Sequence, residues 1–250
     1  NVRALAPRLA PGSLFYLSSR GTADGLWRYQ DGEALEIWKG ADGALREPSA
    51  VSPDGHRVAL LLRKQGKRLL HTLSADGAEL QPLAPTLDVQ GSADWSPDGK
   101  WIVTGASDGD GLGLFKLPVD GGAPIRLLSG TALNPVWSPD GTLIVYTGPP
   151  IGWSSPLLAV RPDGSLVDLP AIQVSVEGWR ARFMPDGRGL VYMVGRYESS
   201  GSAATWSGSQ DFRLLDLATK QTRVLTRFTN GATMRAFDIT PDSKQIIFDR

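Results

Sequence analysis

The chain is 250 residues long and carries 26 Lys and Arg against 26 Asp and Glu, with 29 Gly, 18 Pro, eight Trp and no Cys. That length allows one large domain or two small ones with a sizeable core, and a net charge of zero gives no electrostatic reason to expect nucleic acid or an anionic membrane as partner, since both need clustered Lys and Arg. The lack of Cys excludes disulfides, a thiolate nucleophile and thiolate-bound metal, while Gly and Pro, nearly a fifth of the chain, point to a globular protein dense in turns.

Three short apolar runs open the chain. Leu14 to Leu17, Leu26 to Tyr29 and Leu35 to Trp38 read as strands, with Asp31-Gly32 between the last two, because Asp-Gly accepts the positive φ of a tight hairpin. A tetrapeptide then recurs: Ser52-Pro53-Asp54-Gly55, Ser96-Pro97-Asp98-Gly99 and Ser138-Pro139-Asp140-Gly141, followed by Met184-Pro185-Asp186-Gly187 and Thr240-Pro241-Asp242-Ser243. The prolines stand 44, 42, 46 and 56 residues apart, and a period in this range marks a repeat architecture. Two residues before each Pro comes an apolar side chain (Val51, Trp95, Trp137, Phe183, Ile239), and five after it another (Val58, Ile102, Ile144, Leu190, Ile246). Seven after it come Leu60, Thr104, Tyr146, Tyr192 and Phe248, so the spacing has period two and predicts a strand. Pro presets φ, Asp caps backbone N–H groups and Gly takes positive φ, so each tetrapeptide predicts a hairpin turn. Further pairs at Asp76-Gly77, Asp120-Gly121 and Asp163-Gly164 predict the next hairpin but one.

Each repeat thus supplies four short antiparallel strands, which make a propeller blade. The expected fold is an all-β β-propeller of four-stranded antiparallel blades, about six in number. Four are full, over residues 46–89, 90–131, 132–174 and 175–230; two are partial, 1–45 lacking its innermost strand and 231–250 holding only an inner strand and its neighbour. No segment shows the sustained apolar spacing of a helix. The uncharged stretch from Thr142 to Val160 is broken by Gly148, Pro149, Pro150, Gly152 and Pro156, so it predicts a strand, a loop and a strand, with no membrane insertion. In the longest repeat, Tyr197 to Gln210 is rich in Ser and Gly and is expected as a surface loop between the second and third strands. Propellers commonly let first and last blades share a sheet, which removes bare strand edges. Here a merger of the two partial blades would duplicate a strand, so the expectation is a single domain that forms a segment of a longer protein.

The repeated Trp-Ser-Pro-Asp-Gly followed by an apolar strand, at Trp95 to Gly99 and Trp137 to Gly141, resembles the TolB-like β-propeller repeat, a relative of the WD-type blade. The resemblance covers residues 46 to 250, with Val51, Phe183 and Ile239 in place of the Trp and Ser243 in place of the last Gly. The closing segment Met234 to Asp242 also resembles propellers that bacteria append to serine/threonine kinases and transcriptional regulators. The resemblance implies a non-enzymatic module, periplasmic or otherwise extracytoplasmic, that binds a protein or peptide partner through its channel mouth and blade-top loops, without a cofactor. The repeat is shared with propellers that gate prolyl-oligopeptidase-type serine peptidases, which stand as the alternative, and with propeller lyases; a fold does not choose among them.

Patterns with catalytic or metal-binding connotations fail on context. Gly105-Ala106-Ser107-Asp108-Gly109 matches Gly-x-Ser-x-Gly, but a nucleophile elbow turns from strand into helix, whereas this pentapeptide lies on a strand running into a hairpin. His56 and His71 are the two histidines, too few for a three-His zinc site or a lyase built on a His cluster. Asp108-Gly109-Asp110-Gly111 hints at a calcium loop, yet Val119 stands where an EF-hand puts its bidentate Glu. Asp54, Asp98, Asp140, Asp186 and Asp242 are expected to serve their turns, and Trp95, Trp137 and Phe183 to pack on the neighbouring blade. No catalytic residue and no metal ligand is assigned. The candidate binding site consists of Glu47, Gln90, Asn134, Trp179, Arg180 and Arg235, which stand outside the repeat just before the inner strands. Such positions fall near a propeller's channel mouth, and an aromatic beside an Arg is hot-spot composition. Trp153 and Trp206, in Gly-, Ser- and Pro-rich stretches, are further candidates.

Overall fold

Period-two runs joined by tight turns give a chain of antiparallel hairpins. The computed structural model describes residues 5–19, 24–39, 45, 47–152, 154–175, 181–200, 203–228 and 234–249, and no helix occurs among them. The first sheet holds β1 (Leu5–Ala10), β2 (Ser13–Ser19), β3 (Asp24–Gln30) and β4 (Glu33–Trp38). The second holds β5 (Ala50–Val51), β6 (Arg57–Lys64), β7 (Lys67–Ser74) and β8 (Leu80–Pro82); the third, β9 (Asp88–Trp95), β10 (Trp101–Asp108), β11 (Gly111–Pro118) and β12 (Ile125–Ser129). The fourth is β13 (Leu133–Trp137), β14 (Ile144–Thr147), β15 (Ser154–Val160) and β16 (Leu166–Val167), with β17 (Gln173–Ser175) added to β15. The fifth is β18 (Ala181–Phe183), β19 (Gly189–Ser200), β20 (Ala203–Asp216) and β21 (Thr222–Val224), and β22 (Phe237–Ile239) with β23 (Ile246–Phe248) makes a two-stranded sheet. Five four-stranded meanders in succession are propeller blades.

Two expectations need correction. The first blade is complete: β1 pairs with β2 through Ala10↔Ser13, and the turn is Pro11-Gly12, with Gly12 at φ 70°. Its inner strand escapes the repeat pattern because the register shifts between Leu5 and Arg8 and no tetrapeptide follows it. Of the stretch expected as a loop, Tyr197 to Ser200 lie on β19 and Ala203 to Gln210 on β20, whose ladder continues through Tyr197↔Trp206 to Ser200↔Ala203. Aromatic and β-branched residues such as Tyr197, Thr205 and Trp206 suit a strand, and backbone pairing between two long arms overrides a Ser- and Gly-rich composition.

The tetrapeptides form the turns between first and second strands by one repeated hydrogen-bond scheme. Ser52 Oγ donates to Asp54 Oδ1 (2.5 Å) and accepts from the Arg57 N–H (2.9 Å), while Asp54 Oδ1 also accepts from the His56 N–H (3.0 Å). The Gly55 N–H returns to the Ser52 carbonyl at 2.9 Å, with Gly55 at φ 75° where a side chain would be strained. Ser96 with Asp98 and Ser138 with Asp140 repeat the scheme, as does Thr240 with Asp242. Met184 has no hydroxyl, so its turn keeps only the Asp186 bond to the Arg188 N–H (3.0 Å) and the backbone closure.

The core lies between blades. Trp95, 4% exposed, packs with Leu61 and Leu70 of the preceding blade, and its indole N–H donates to the Ala50 carbonyl at 3.0 Å. Fully buried Leu60, Leu62 and Leu73 meet Phe15, Leu17 and Leu26 of the first blade, each such side chain contributing about 2 kcal/mol. Phe212 and Phe237 stack edge-on, 4.9 Å between centroids, where the fifth blade meets the last sheet. Closure is visible in a repeated bond. Asp94, three residues before Pro97, accepts from the Trp137 N–H on the next inner strand (2.9 Å). Asp238, three before Pro241, accepts from the Leu9 N–H on β1 (2.8 Å). The two-stranded sheet therefore stands beside the first blade as the third stands beside the fourth, and Asp249 Oδ2 adds a bond to the Ala6 N–H (3.2 Å).

Candidate functional site

The position three residues before each turn proline carries Arg8, Ala50, Asp94, Val136, Arg182 and Asp238 in chain order. Because the six inner strands converge, this register forms a ring around the propeller axis. A cavity of about 180 Å³ sits there, lined by residues of all six inner strands, among them Arg8, Asp94, Trp137, Arg182 and Asp238. Pro139, exposed in its turn, also lines it, which places the opening on the face of the tetrapeptide turns.

The four charges have unequal duties. Arg8 bridges three sheets: its Nε donates to the Ser49 carbonyl (3.0 Å) and its Nη1 to the Phe237 carbonyl (2.9 Å). Asp238 accepts on both oxygens, Oδ2 from the Leu9 N–H and Oδ1 from the Ile239 N–H (3.0 Å). The second bond has a simple cause: Arg182, which occupies the acceptor position of the preceding blade, cannot accept, so the N–H of Ile239 is capped by its own neighbour. The Arg182 side chain is 11% exposed, and its Nε lies 4.0 Å from Asp238 Oδ1, an ion pair without a hydrogen bond. Desolvation in the cavity raises the Asp94 carboxyl above its ordinary pKa, opposed by Arg182, by the bond from Trp137 and by Arg8.

Four of the residues anticipated from the sequence, Glu47, Gln90, Asn134 and Arg235, lie elsewhere. Asn134 is buried at φ 48°, and its Oδ1 accepts from both the N–H (2.9 Å) and the hydroxyl (3.1 Å) of Ser92, a bond between the fourth and third blades. Gln90, on β9, accepts a hydrogen bond from Arg68 and donates to the Asp88 carbonyl (3.4 Å). Glu47 is half-buried ahead of β5, and Arg235 is exposed with its N–H on Asp249 Oδ1 (2.7 Å). None of these four lines the axial cavity. Trp179, Arg180 and Trp153 lie outside the described residues, and Trp206 falls on β20. The structure brings together Arg8, Asp94, Arg182 and Asp238 instead. The signal was the proline register, read at two residues before Pro but not at three.

The motif residues fall on strands and in a hairpin. Gly105 to Asp108 lie on β10, which runs into a hairpin through Asp108↔Gly111. A Cβ at Gly105 would run into the Ala132 carbonyl of the next blade, so this glycine serves close packing. Asp108 pairs with Arg126. His71 is buried on β7, where burial pushes its imidazole below the ordinary value. Among the described residues, no three His, Asp or Glu side chains gather as a metal site, and no helix is long and apolar enough to cross a membrane.

No family model matches the chain. Among curated proteins it is 27% identical over 193 residues to an uncharacterized protein of Agrobacterium fabrum, covering 75% of this chain and 64% of that one. Its architecture is shared with a protein assigned as TolB in Agrobacterium tumefaciens, at a TM-score of 0.71 and 20% identity over 99% of this chain and 90% of that one. TolB from Acinetobacter baumannii follows at 0.69 and 17%, over 88% and 53%. The fold is that of a TolB-like β-propeller. Enzymes share the architecture: an oligogalacturonate lyase in complex with manganese (TM-score 0.64, 13% identity, 94% and 66% covered) and prolyl endopeptidases (0.57, 14%, 95% and 38%). The chain spans less than two thirds of the curated relative's length and about half that of the Acinetobacter TolB.

Proposed function

We propose that this chain is a non-enzymatic binding or sensing propeller of TolB type, of about six blades with the two-stranded sheet as the inner half of the sixth, acting on a protein or peptide partner outside the cytoplasm. The observation that carries this reading is the axial cavity, where charged residues of four different blades converge on an opening at the turn face. Convergent polar groups in a concave site are the mark of recognition. The TolB-like fold supports the extracytoplasmic location and the protein partner. Trp179 and Arg180, just ahead of β18, are assigned to the partner-binding rim on composition. Affinity capture from a cell-envelope extract tests this, comparing the chain with a Trp179→Ala, Arg180→Ala double variant of equal thermal stability. A partner held by the original and lost by the variant is the expected result; equal capture by both removes these two residues from the site.

A second reading, a propeller gating a serine peptidase, is favoured by the likeness to prolyl endopeptidases, of whose length the chain covers 38%. An α/β-hydrolase domain encoded in the same reading frame would establish it, and its absence there would remove it.

A further inference from the structure

Three junctions between successive blades can be compared at one register. Arg28, Thr72 and Lys116 are third-strand residues opposite Phe15, Ala59 and Val103, which in turn pair with the axial positions Arg8, Ala50 and Asp94. Arg28 Nη1 donates to the Ala75 carbonyl of the second blade (2.9 Å), and Lys116 Nζ to the Pro162 carbonyl of the fourth (3.0 Å). Both carbonyls stand two residues before the Gly of an Asp-Gly turn. Between the second and third blades the counterpart carbonyl is that of Val119, and Thr72 has no cationic group to send to it. The turns differ too. A Cβ at Gly77 or Gly164 would run into a carbonyl on the fourth strand of the preceding blade, Ile37 or Leu127, whereas one at Gly121 meets nothing within 4 Å. Asp76 and Asp163 cap the N–H groups of Ala78 (3.0 Å) and Ser165 (2.9 Å). Asp120 caps none among the described residues, and its side chain, 91% exposed, stands 3.7 Å from Arg57 of the preceding blade.

A cavity lies where these three departures meet, lined by Arg57, Thr72, Ser74, Glu79, Val119 and Asp120 among others. The Val119 N–H bonds to the Lys100 carbonyl, just beyond the Pro97 turn (3.0 Å), so the slot opens on the face of the tetrapeptide turns, as the axial cavity does. Its charged residues are two carboxylates, Glu79 and Asp120, against one guanidinium, Arg57, which also lies over the Trp95 ring at 5.2 Å from the centroid. An entering anion would meet both carboxylates. An entering cation would meet the exposed Asp120 and supply the group that the adjoining junctions draw from their own third strands. We propose that the slot between the second and third blades binds a basic side chain, lysine or arginine, of a protein partner, its cation on Asp120 and in the place that Arg28 and Lys116 take in the adjoining junctions. Ion pairs at such exposure are individually weak, so the slot selects one residue within a larger contact. The inference rests on the reading of the propeller as a protein-binding module and names the chemistry of one contact.

Titration of the isotope-labelled whole chain with N-acetyl-L-lysine methylamide, followed by amide chemical shifts, tests it. The Val119, Asp120 and Gly121 amides are expected to shift saturably in the millimolar range. Acetylating the probe's side-chain amine, which removes its charge, should weaken binding roughly threefold to fivefold, and so should Asp120→Asn, a change at an exposed position. Thr72→Lys should fill the slot from within as Lys116 does at the next junction, raising Tm by roughly 1–3 °C and abolishing the shifts; the two probes and Asp120→Asn decide the matter should that variant fold poorly. Equal shifts from charged and neutral probes overturn the proposal, as does the absence of any saturable shift. Tighter binding of N-acetyl-L-glutamate methylamide overturns it in favour of an anion taken by Arg57. Capture from a cell-envelope extract separates the two readings. A partner held equally by the original and by Thr72→Lys sinks this inference alone, whereas no partner for either, with the lysine probe still bound at Asp120, sinks the protein-binding reading and leaves the slot's preference for a cation.

Discussion

Aspartate does opposite things in two regions of this molecule. In the turns, Asp54, Asp98 and Asp140 are exposed, and hydrogen bonds from Ser52, Ser96 and Ser138, with help from backbone N–H groups, hold their carboxyl groups below the ordinary pKa. On the axis, Asp94 is withdrawn from water and burial raises it. Both regions use the carboxylate to cap backbone N–H groups, but the turns do so locally, within five residues, and the axis does so between blades. The turn bonds shape each hairpin independently, whereas the axial bonds hold one blade to the next. Damage on the axis should therefore propagate around the ring, and damage in a turn should stay small.

The largest effect is expected at the closure between last sheet and first. Asp238→Ala strips the acceptor from the Leu9 and Ile239 N–H groups and removes the partner of an Arg182 side chain only 11% exposed. Breaking a buried pair from one side costs about 3 kcal/mol or more, which for a chain of this size lowers Tm by roughly 6–12 °C. Asp238→Asn returns the acceptors without the charge and should recover part of the loss. A urea titration of the three proteins measures both steps, and a loss below about 1 kcal/mol for the alanine variant would break the distinction between axis and turn.

A turn should respond more weakly and with a recognisable pH signature. Ser96→Ala removes the donor to Asp98 and the acceptor of the Trp101 N–H, a loss of about 1–2 kcal/mol at neutral pH. Because the Asp98 pKa is lowered in the folded state, the stabilisation is complete above the ordinary carboxylate pKa and fades as pH falls below about 4. The difference between the original and Ser96→Ala should shrink over that acid window. A difference independent of pH would mean that the lost Trp101 bond alone matters.

Much of the fold was legible because turns leave local signatures. Pro, Asp and Gly fix a conformation that no other short pattern demands, so five turns, and through them the strands on either side, could be read from residues 46 onward. The first inner strand was not legible, since β1 ends in Pro11-Gly12 and carries a register shift at Leu5 to Arg8 that breaks its alternation. The arms of β19 and β20 were hidden for another reason: their Ser and Gly residues carry no strand signal, and the stabilising bonds run between residues far apart in sequence. The axial ring lies between these cases. Its positions stand at a fixed offset from each proline, yet Arg8, Ala50, Asp94, Val136, Arg182 and Asp238 share no residue type, and only the closing of the ring makes them neighbours. Asn134 shows the converse, a polar residue before an inner strand that looked free in sequence and is consumed by a bond to Ser92.

The smallest expected change is also the one whose sign separates the two regions. Asp94→Asn keeps the shape of the side chain and an acceptor for Trp137 while removing a charge that burial disfavours. A carboxyl whose folded-state pKa is raised makes the fold less stable as pH climbs from the unfolded value, about 3.9, through the raised one. The variant should thus equal or exceed the original at pH 7, by no more than about 1 kcal/mol, and the two should converge on acidification toward pH 4 as the original takes up its proton. In the turn, Asp98→Asn should do the opposite and destabilise at pH 7. Melting curves of both variants from neutral pH down to acid give the comparison directly: opposite signs sustain the division between axis and turn, while a marked loss in Asp94→Asn would show that attraction from Arg182 and Arg8 outweighs the burial of Asp94.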